Sequence, residues 1–186
     1  PKGIVGDLET ITASVAEENS GPFVLKSVGE AHKSDHGGVV LDLSSRAQIV
    51  QAASNMAASE FLLEEMVTES VAELLVGVIK DSAHGFILTI GAGGTLTEIL
   101  DDKQSSLIPA TEDQVKQALT RLKMAPILSG YRNKPAVDRE AIVRTIMAIQ
   151  DFVLAHVAAL EELEVNPLIC TPTNAIAADA LIRKTQ

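Results

Sequence analysis

Apolar and polar positions recur along this chain with two periods, and the places where the period changes mark out its elements. Residues 22–28 (PFVLKSV) and 39–43 (VVLDL) are short apolar runs next to glycines, which reads as two strands joined by a loop. Ser45 and Gln48 stand in capping-box spacing ahead of a mildly amphipathic stretch, which predicts a helix covering one face. Three more strands are expected at 61–67, 72–79 and 86–90, where large aliphatic and β-branched residues cluster between charges or glycines. The last of these runs into GAGG.

The second half is at first more helical. Thr111 and Gln114 form another capping-box pair, predicting a helix through Lys123 with Pro126 just beyond its end. Asp138 is expected to cap a longer helix, with Ile142, Ile146, Ile149, Val153, Val157 and Leu160 forming its core stripe. Residues 160–169 and 174–182 read as a closing pair of strands separated by a proline-containing turn. Strands mixed with helices, without strict βαβ alternation, predict an α+β fold.

Composition narrows the function classes. With 186 residues, 46% of them hydrophobic, the chain can bury a substantial core as one large domain or two small ones. Fifteen Lys and Arg against 25 Asp and Glu give a formal charge of −10, the opposite of what a general nucleic-acid binder carries. A single cysteine, Cys170, excludes an intrachain disulfide framework and a cysteine-based metal cluster. The longest apolar stretch, 142–160, is interrupted by Arg144, Gln150, Asp151 and His156, unlike a membrane span of about 20 apolar residues. No signal peptide is visible, which makes a cytoplasmic protein the default expectation. The opening PKGIVGDLET does not read as a natural start, and the expectation is a fragment.

Two places carry candidate chemistry. In the loop AHKSDHGG, 31–38, Gly37 and Gly38 would let backbone N–H groups approach an anion, and nearby lysines would neutralise it. Lys26, in the middle of the preceding strand, would be costly to bury without an anionic partner. An ordinary turn beside a lysine on a solvated face explains the same residues equally well, and GAGG at 91–94 reads more readily as a turn than as a phosphate cradle. At the other end, Glu162, Glu164 and Asn166 alternate and so share one face of a strand. With Asp179 on the partner strand they would offer hard oxygen donors to Mg²⁺. The alternative is an edge strand charged against aggregation.

Taken together, PFVLK, HKSDHGGV, LLEEMV, AELLVGVIKD, GAGG followed by TEIL, SGYR, ELEVNPL and AIAADALI form a collinear set over nearly the whole chain. The set resembles the ATP-grasp domain of ADP-forming acyl-CoA synthetases and, more distantly, the β subunit of succinyl-CoA synthetase. The resemblance implies an ATP-grasp fold: two α+β subdomains with mixed or antiparallel sheets and flanking helices, gripping a nucleotide and here lacking an N-terminal segment. It divides the chain into a nucleotide-lid subdomain, roughly 1–67, and a metal- and phosphate-site subdomain, 68–186.

By the same resemblance, Lys26 and Lys33 meet nucleotide phosphate and transferred charge, Gly37 and Gly38 belong to the covering loop, and Glu65, Met66 and Val67 line the adenine pocket. Glu73 faces the ribose; Asn166 and Asp179 are Mg²⁺ ligands, with Glu164 standing where the family more often has aspartate. His32 is the candidate phosphoryl acceptor, a nucleophile whose neutral imidazole is available near pH 7. His36 replaces a small aliphatic residue and receives no role, and Ser82 and His84 depart from the family's Asp-Pro-x-Phe-Gly turn.

The implied activity is acid + CoA + ATP = acyl-CoA + ADP + phosphate through a phosphohistidine, with Mg²⁺ and ATP/ADP as cofactors. The implied enzyme is an acid–CoA ligase whose full reaction needs a CoA-binding and ligase domain or an α subunit, within an oligomer and with neither nucleic acid nor membrane as partner. Two other classes fit the same residues: a regulatory ATP-grasp-like module, such as one fused to a protein acetyltransferase, and a structural domain that docks subunits.

Overall fold

A computed structural model describes residues 1–15, 21–29, 37–94 and 101–185. His32 and Lys33, for which phosphate and phosphoryl roles are expected, and His36 lie outside these residues. The chain divides into two compact units, Pro1–Thr68 and a second beginning at Glu69.

In the first unit an antiparallel sheet runs in the order β1-β4-β2-β3, with β1 at Gly3–Gly6, β2 at Phe23–Ser27, β3 at Val39–Leu43 and β4 at Phe61–Glu65. Helix α1 (Leu8–Ala13) starts where Asp7 accepts the Thr10 N–H, and α2 (Arg46–Asn55) where Ser45 accepts that of Gln48. Period-2 alternation then sorts the strands: Phe23, Leu25, Phe61 and Leu63 pack with Ile11 and Ile49 in a common core. Val24, Lys26, Leu62 and Glu64 are left on the opposite face.

The second unit is built on the antiparallel order β10-β8-β5-β6-β7, with β9 also paired to β8. Its strands are β5 (Ala72–Asp81), β6 (Gly85–Ala92), β7 (Lys103–Leu107), β8 (Leu160–Cys170), β9 (Ala175–Ala177) and β10 (Ala180–Lys184). One face, carrying Leu74, Val76, Leu88 and Ile90, shares a core with Val115 of α3 (Glu112–Arg121) and Ile142 of α5 (Arg139–Ala155). Thr111 and Gln114 close the expected capping box at the start of α3. Buried Gln150 of α5 accepts the Ala110 N–H at 2.6 Å and donates to the Ala110 carbonyl at 3.2 Å, tying the turn before α3 to α5.

Three expectations are corrected. Helix α3 ends at Arg121 rather than at Lys123, and Pro126, which does lie beyond that end, opens a further short helix, α4 (Ala125–Leu128), where its missing N–H removes no intrahelical bond. Helix α5 stops at Ala155 rather than running to Leu160; His156 caps it, its Nδ1 donating to the Phe152 carbonyl at 2.7 Å while its ring stacks on Phe152. Val157 is therefore exposed, and Leu160 opens β8. The closing segment 174–182 holds two strands, β9 and the start of β10, instead of one.

Strand β8 contains a bulge. Leu74 pairs with Leu168 but Val76 pairs with Val165, so Asn166 and Pro167 together oppose Leu75. The extra residue reverses the phase of burial: Leu163 and Val165 are buried before it, Leu168 and Cys170 after it.

Candidate nucleotide and cation site

In the first unit the isolated cation of the β2 run, Lys26, is buried, and its Nζ lies 2.6 Å from Glu64 Oε2. The pairing register explains the contact: Val24 opposes Glu64 and Lys26 opposes Leu62, which makes Lys26 and Glu64 diagonal neighbours on the face away from the core. Glu64 Oε2 accepts no directed hydrogen bond among the described residues, so the lysine charge is what answers it. Beside them Gly38 is held to β2, its carbonyl accepting the Ser27 N–H at 2.8 Å, and Gly37 has the positive φ of +73° that a side chain would strain.

Glu65, Met66 and Val67 end this unit. The side chain of Glu65 is exposed, while its N–H donates to Lys2 and that of Met66 to Pro22, both at 2.9 Å. These two amides are thus bound within the unit, and Val67 carries the N–H of the three that has no partner among the described residues.

In the second unit Asn166 lies in the bulge, with Glu164 just before it on β8 and Asp179 just before β10. The Asn166 N–H donates to the Asp179 carbonyl at 3.2 Å, and the Pro167 carbonyl accepts the Ala178 N–H, so the segment before β10 is laced to the bulged strand. Asn166 Oδ1 accepts the Gly94 N–H at 3.1 Å. Asp179 is exposed, and its Oδ1 accepts the N–H of Ala180. Glu164 lies two residues before Asn166, opposite Gly77 on one side and Leu181 on the other. Glu162 shares its face but is paired with Arg183 at 3.1 Å. Glu73 sits against the glycine-rich turn: its carbonyl accepts the Gly93 N–H, and its carboxylate occupies the space that a Cβ on Gly94 would need.

Among the described residues no three His, Cys, Asp or Glu side chains converge. The amide oxygen of Asn166 and the carboxylate of Asp179 stand on backbone segments joined by one hydrogen bond, and Mg²⁺ is a cation that takes few protein oxygens and keeps waters and phosphate oxygens for its remaining positions. Glu64 is not singled out by the sequence, and GAGG, which ends in Gly94, reads there as a turn. The Lys26 signal could have led to Glu64, because a buried lysine requires an acid on the adjoining strand.

No helix among the described residues is long and apolar enough to cross a membrane. Residues 4–183 match the ATP-grasp domain family. A trans-feruloyl-CoA synthase from an unknown prokaryotic organism is 33% identical over 184 residues, 91% of this chain and 26% of that protein. The β subunit of an ADP-forming acetate–CoA ligase I from Pyrococcus furiosus is 29% identical over 171 residues, 86% of this chain and 73% of the subunit. The chain thus spans about a quarter of the first relative. Among solved structures, the dinucleotide-forming acetyl-coenzyme A synthetase 1 of Ca. Korarchaeum cryptofilum, in complex with coenzyme A, Ca-AMPCP and HgCl⁺, superposes with a TM-score of 0.85 at 25% identity, covering 100% of this chain and 86% of that one. Another structure of that synthetase holds Mg-AMPPCP, with a phosphohistidine segment pointing towards its nucleotide binding site, and aligns at a TM-score of 0.78. The chain with the buried Lys26–Glu64 pair and the bulged Asn166 strand therefore belongs to the ATP-grasp domain family, matching the β-subunit region of ADP-forming acetyl-CoA synthetases.

Proposed function

We propose that this chain is the nucleotide-binding module of an ADP-forming acyl-CoA synthetase, binding ATP or ADP with Mg²⁺ and passing a phosphoryl group between nucleotide and histidine. The observation that carries the reading is the hydrogen bond at the β8 bulge from the Asn166 N–H to the Asp179 carbonyl, which joins two pieces of backbone that each carry a hard oxygen donor.

In this reading Lys26 holds a phosphate oxygen by charge, and Glu64 limits the rotamers open to the lysine before nucleotide arrives. Val67 offers its N–H to the base edge, while the bonds that Glu65 and Met66 make to Lys2 and Pro22 hold the segment in place. Gly37 and Gly38 cover the phosphates, and Glu73 lies on the ribose side. Asn166, Asp179 and, with its longer arm, Glu164 would hold the cation, which when bound neutralises charge on the phosphate oxygens. A neutral imidazole, His32 or a histidine of a partner domain, attacks the γ-phosphorus. A P–N bond forms as the P–O bond to ADP breaks, and ADP leaves. Completing acyl-CoA then falls to a CoA-binding and ligase domain or α subunit, which would also fix the acyl group, in a cytoplasmic assembly.

The test is thermal unfolding of the chain with ADP or ATP, with and without Mg²⁺, for wild type and Asn166→Ala. Nucleotide at 100 times its dissociation constant stabilises the fold by about 2.7 kcal/mol. The expected result is stabilisation that grows with Mg²⁺ in wild type and loses that growth in Asn166→Ala. Absence of any nucleotide effect overturns the reading. Radiolabel from γ-labelled ATP that persists on His32→Asn removes His32 as acceptor without touching nucleotide binding.

A further inference from the structure

Gly94 meets two functional strands at once, β8 through its backbone nitrogen and β5 through the side chain it lacks. Its N–H donates to Asn166 Oδ1 at 3.1 Å. An N–H can be accepted only by the oxygen of an amide, so this bond fixes which end of the Asn166 side chain faces the turn and leaves the second lone pair of Oδ1 open. The φ of Gly94 is +74°, in the left-handed region, and the Glu73 carboxylate fills the position of the missing Cβ. Any other residue there must displace Glu73 or move the N–H away from Asn166.

We infer that Gly94 is a positioning residue: its N–H holds the Asn166 amide with the oxygen turned to receive a divalent cation, and glycine is required because Glu73 takes up the side-chain space. This rests on the nucleotide-and-cation reading above. The bulge aims Asn166 coarsely, since it decides to which face the residue turns, and the Gly94 bond sets the final rotation about the amide. Gly93 supports the arrangement from behind, its own N–H bound to the Glu73 carbonyl at 2.9 Å.

The experiment is calorimetric titration of ADP into the full 186-residue chain at a series of Mg²⁺ concentrations, which separates the Mg²⁺-free affinity from the Mg²⁺ concentration giving half of the metal-dependent gain. For Gly94→Ala the expected result is a Mg²⁺-free affinity within about threefold of wild type and a half-saturating Mg²⁺ concentration raised tenfold or more, with reference to the 1.4 kcal/mol that a factor of ten represents. An unchanged half-saturation in folded Gly94→Ala overturns the inference, as does an equal loss of Mg²⁺-free affinity, which marks general damage to the turn. If Gly94→Ala does not fold, Glu73→Ala is compared with Glu73→Ala/Gly94→Ala. Removing the carboxylate makes room for the methyl group, so the two should share one half-saturation; a further tenfold loss in the double variant overturns the inference. Wild type that binds ADP with no Mg²⁺ dependence removes the inference but leaves nucleotide binding, whereas wild type that binds no nucleotide removes both.

Discussion

Lys26 Nζ stands 2.6 Å from Glu64 Oε2 across two neighbouring strands, with side chains only 9% and 11% exposed. A pair so far out of water is poor at adding stability yet costly to break, because truncating one partner leaves the other charge buried. Glu64→Ala should therefore lower the unfolding free energy by about 3 kcal/mol, and Lys26→Met/Glu64→Leu by much less. Urea denaturation of the four corners of the cycle measures both; a cost below about 1 kcal/mol for Glu64→Ala would mean that the pair is solvated like a surface salt bridge.

Asp102 is a buried carboxylate whose work is structural. It accepts the Lys123 N–H at 2.7 Å and the Met124 N–H at 2.9 Å, closing the chain between α3 and α4. Asp102→Ala removes a charged acceptor from both amides and should cost about 2 kcal/mol; Asp102→Asn keeps one oxygen and should cost less. The midpoint of a urea transition, at unchanged slope, reports the difference.

The Cys170 thiol is pushed up to about 12 by burial, and the negative charge of Glu73 adds to the effect. It should resist thiol reagents at pH 8 in the native state and react at the rate of unfolding. Its raised pKa also fixes a sign: the folded form holds the proton more tightly, so this contribution to stability is complete below pH 9 and is lost as pH rises from 9 towards 12. Labelling of native protein as fast as labelling in urea would contradict the burial.

At the β5–β6 turn the Asp81 carboxyl titrates below its ordinary 3.8, chiefly through the hydrogen bond with the His84 ring and then through the Ala83 and His84 N–H groups. His84→Ala should raise the Asp81 pKa without returning it fully to 3.8, a change that NMR titration resolves. The contribution of this turn is present above pH 3.8 and fades as the pH falls below it. An Asp81 titration indifferent to His84 would show that the backbone amides do the holding.

What the sequence made legible was whatever is encoded locally. The caps at Ser45, Thr111 and Asp138 were readable because a capping side chain and its N–H partner lie three residues apart. The strands Val39–Leu43 and Phe61–Glu65 were readable from apolar content. Strand β7, KQSSL, was not: it has little apolar signal and is a strand because β6 offers it an edge. Strand β1, GIVG, is four residues long and is likewise defined by β4.

The candidate site divides in the same way. A lone lysine in an apolar strand and an alternating acid–amide run announce themselves. Which of Glu64 and Glu65 reaches Lys26 depends on cross-strand register, and Glu64 wins because it opposes Val24. The role of GAGG was invisible because the residues that define it, Glu73 and Asn166, lie far off in sequence and meet Gly94 only in the fold.

The bulge in β8 separates the placement of Asn166 from the burial of the strand around it. Deleting one residue at 166–167 would let the strand run in a single phase, with Leu163, Val165, Leu168 and Cys170 all still turned into the core. Loss of the one extra residue can therefore leave the core intact and remove only the local twist that aims the amide, so the protein would fold with a blunted site. Lineages carrying this strand should accept a one-residue deletion at 166–167 without losing the fold, and any that lengthen the segment should do so beyond Cys170, where Thr171–Asn174 already turns away from the sheet.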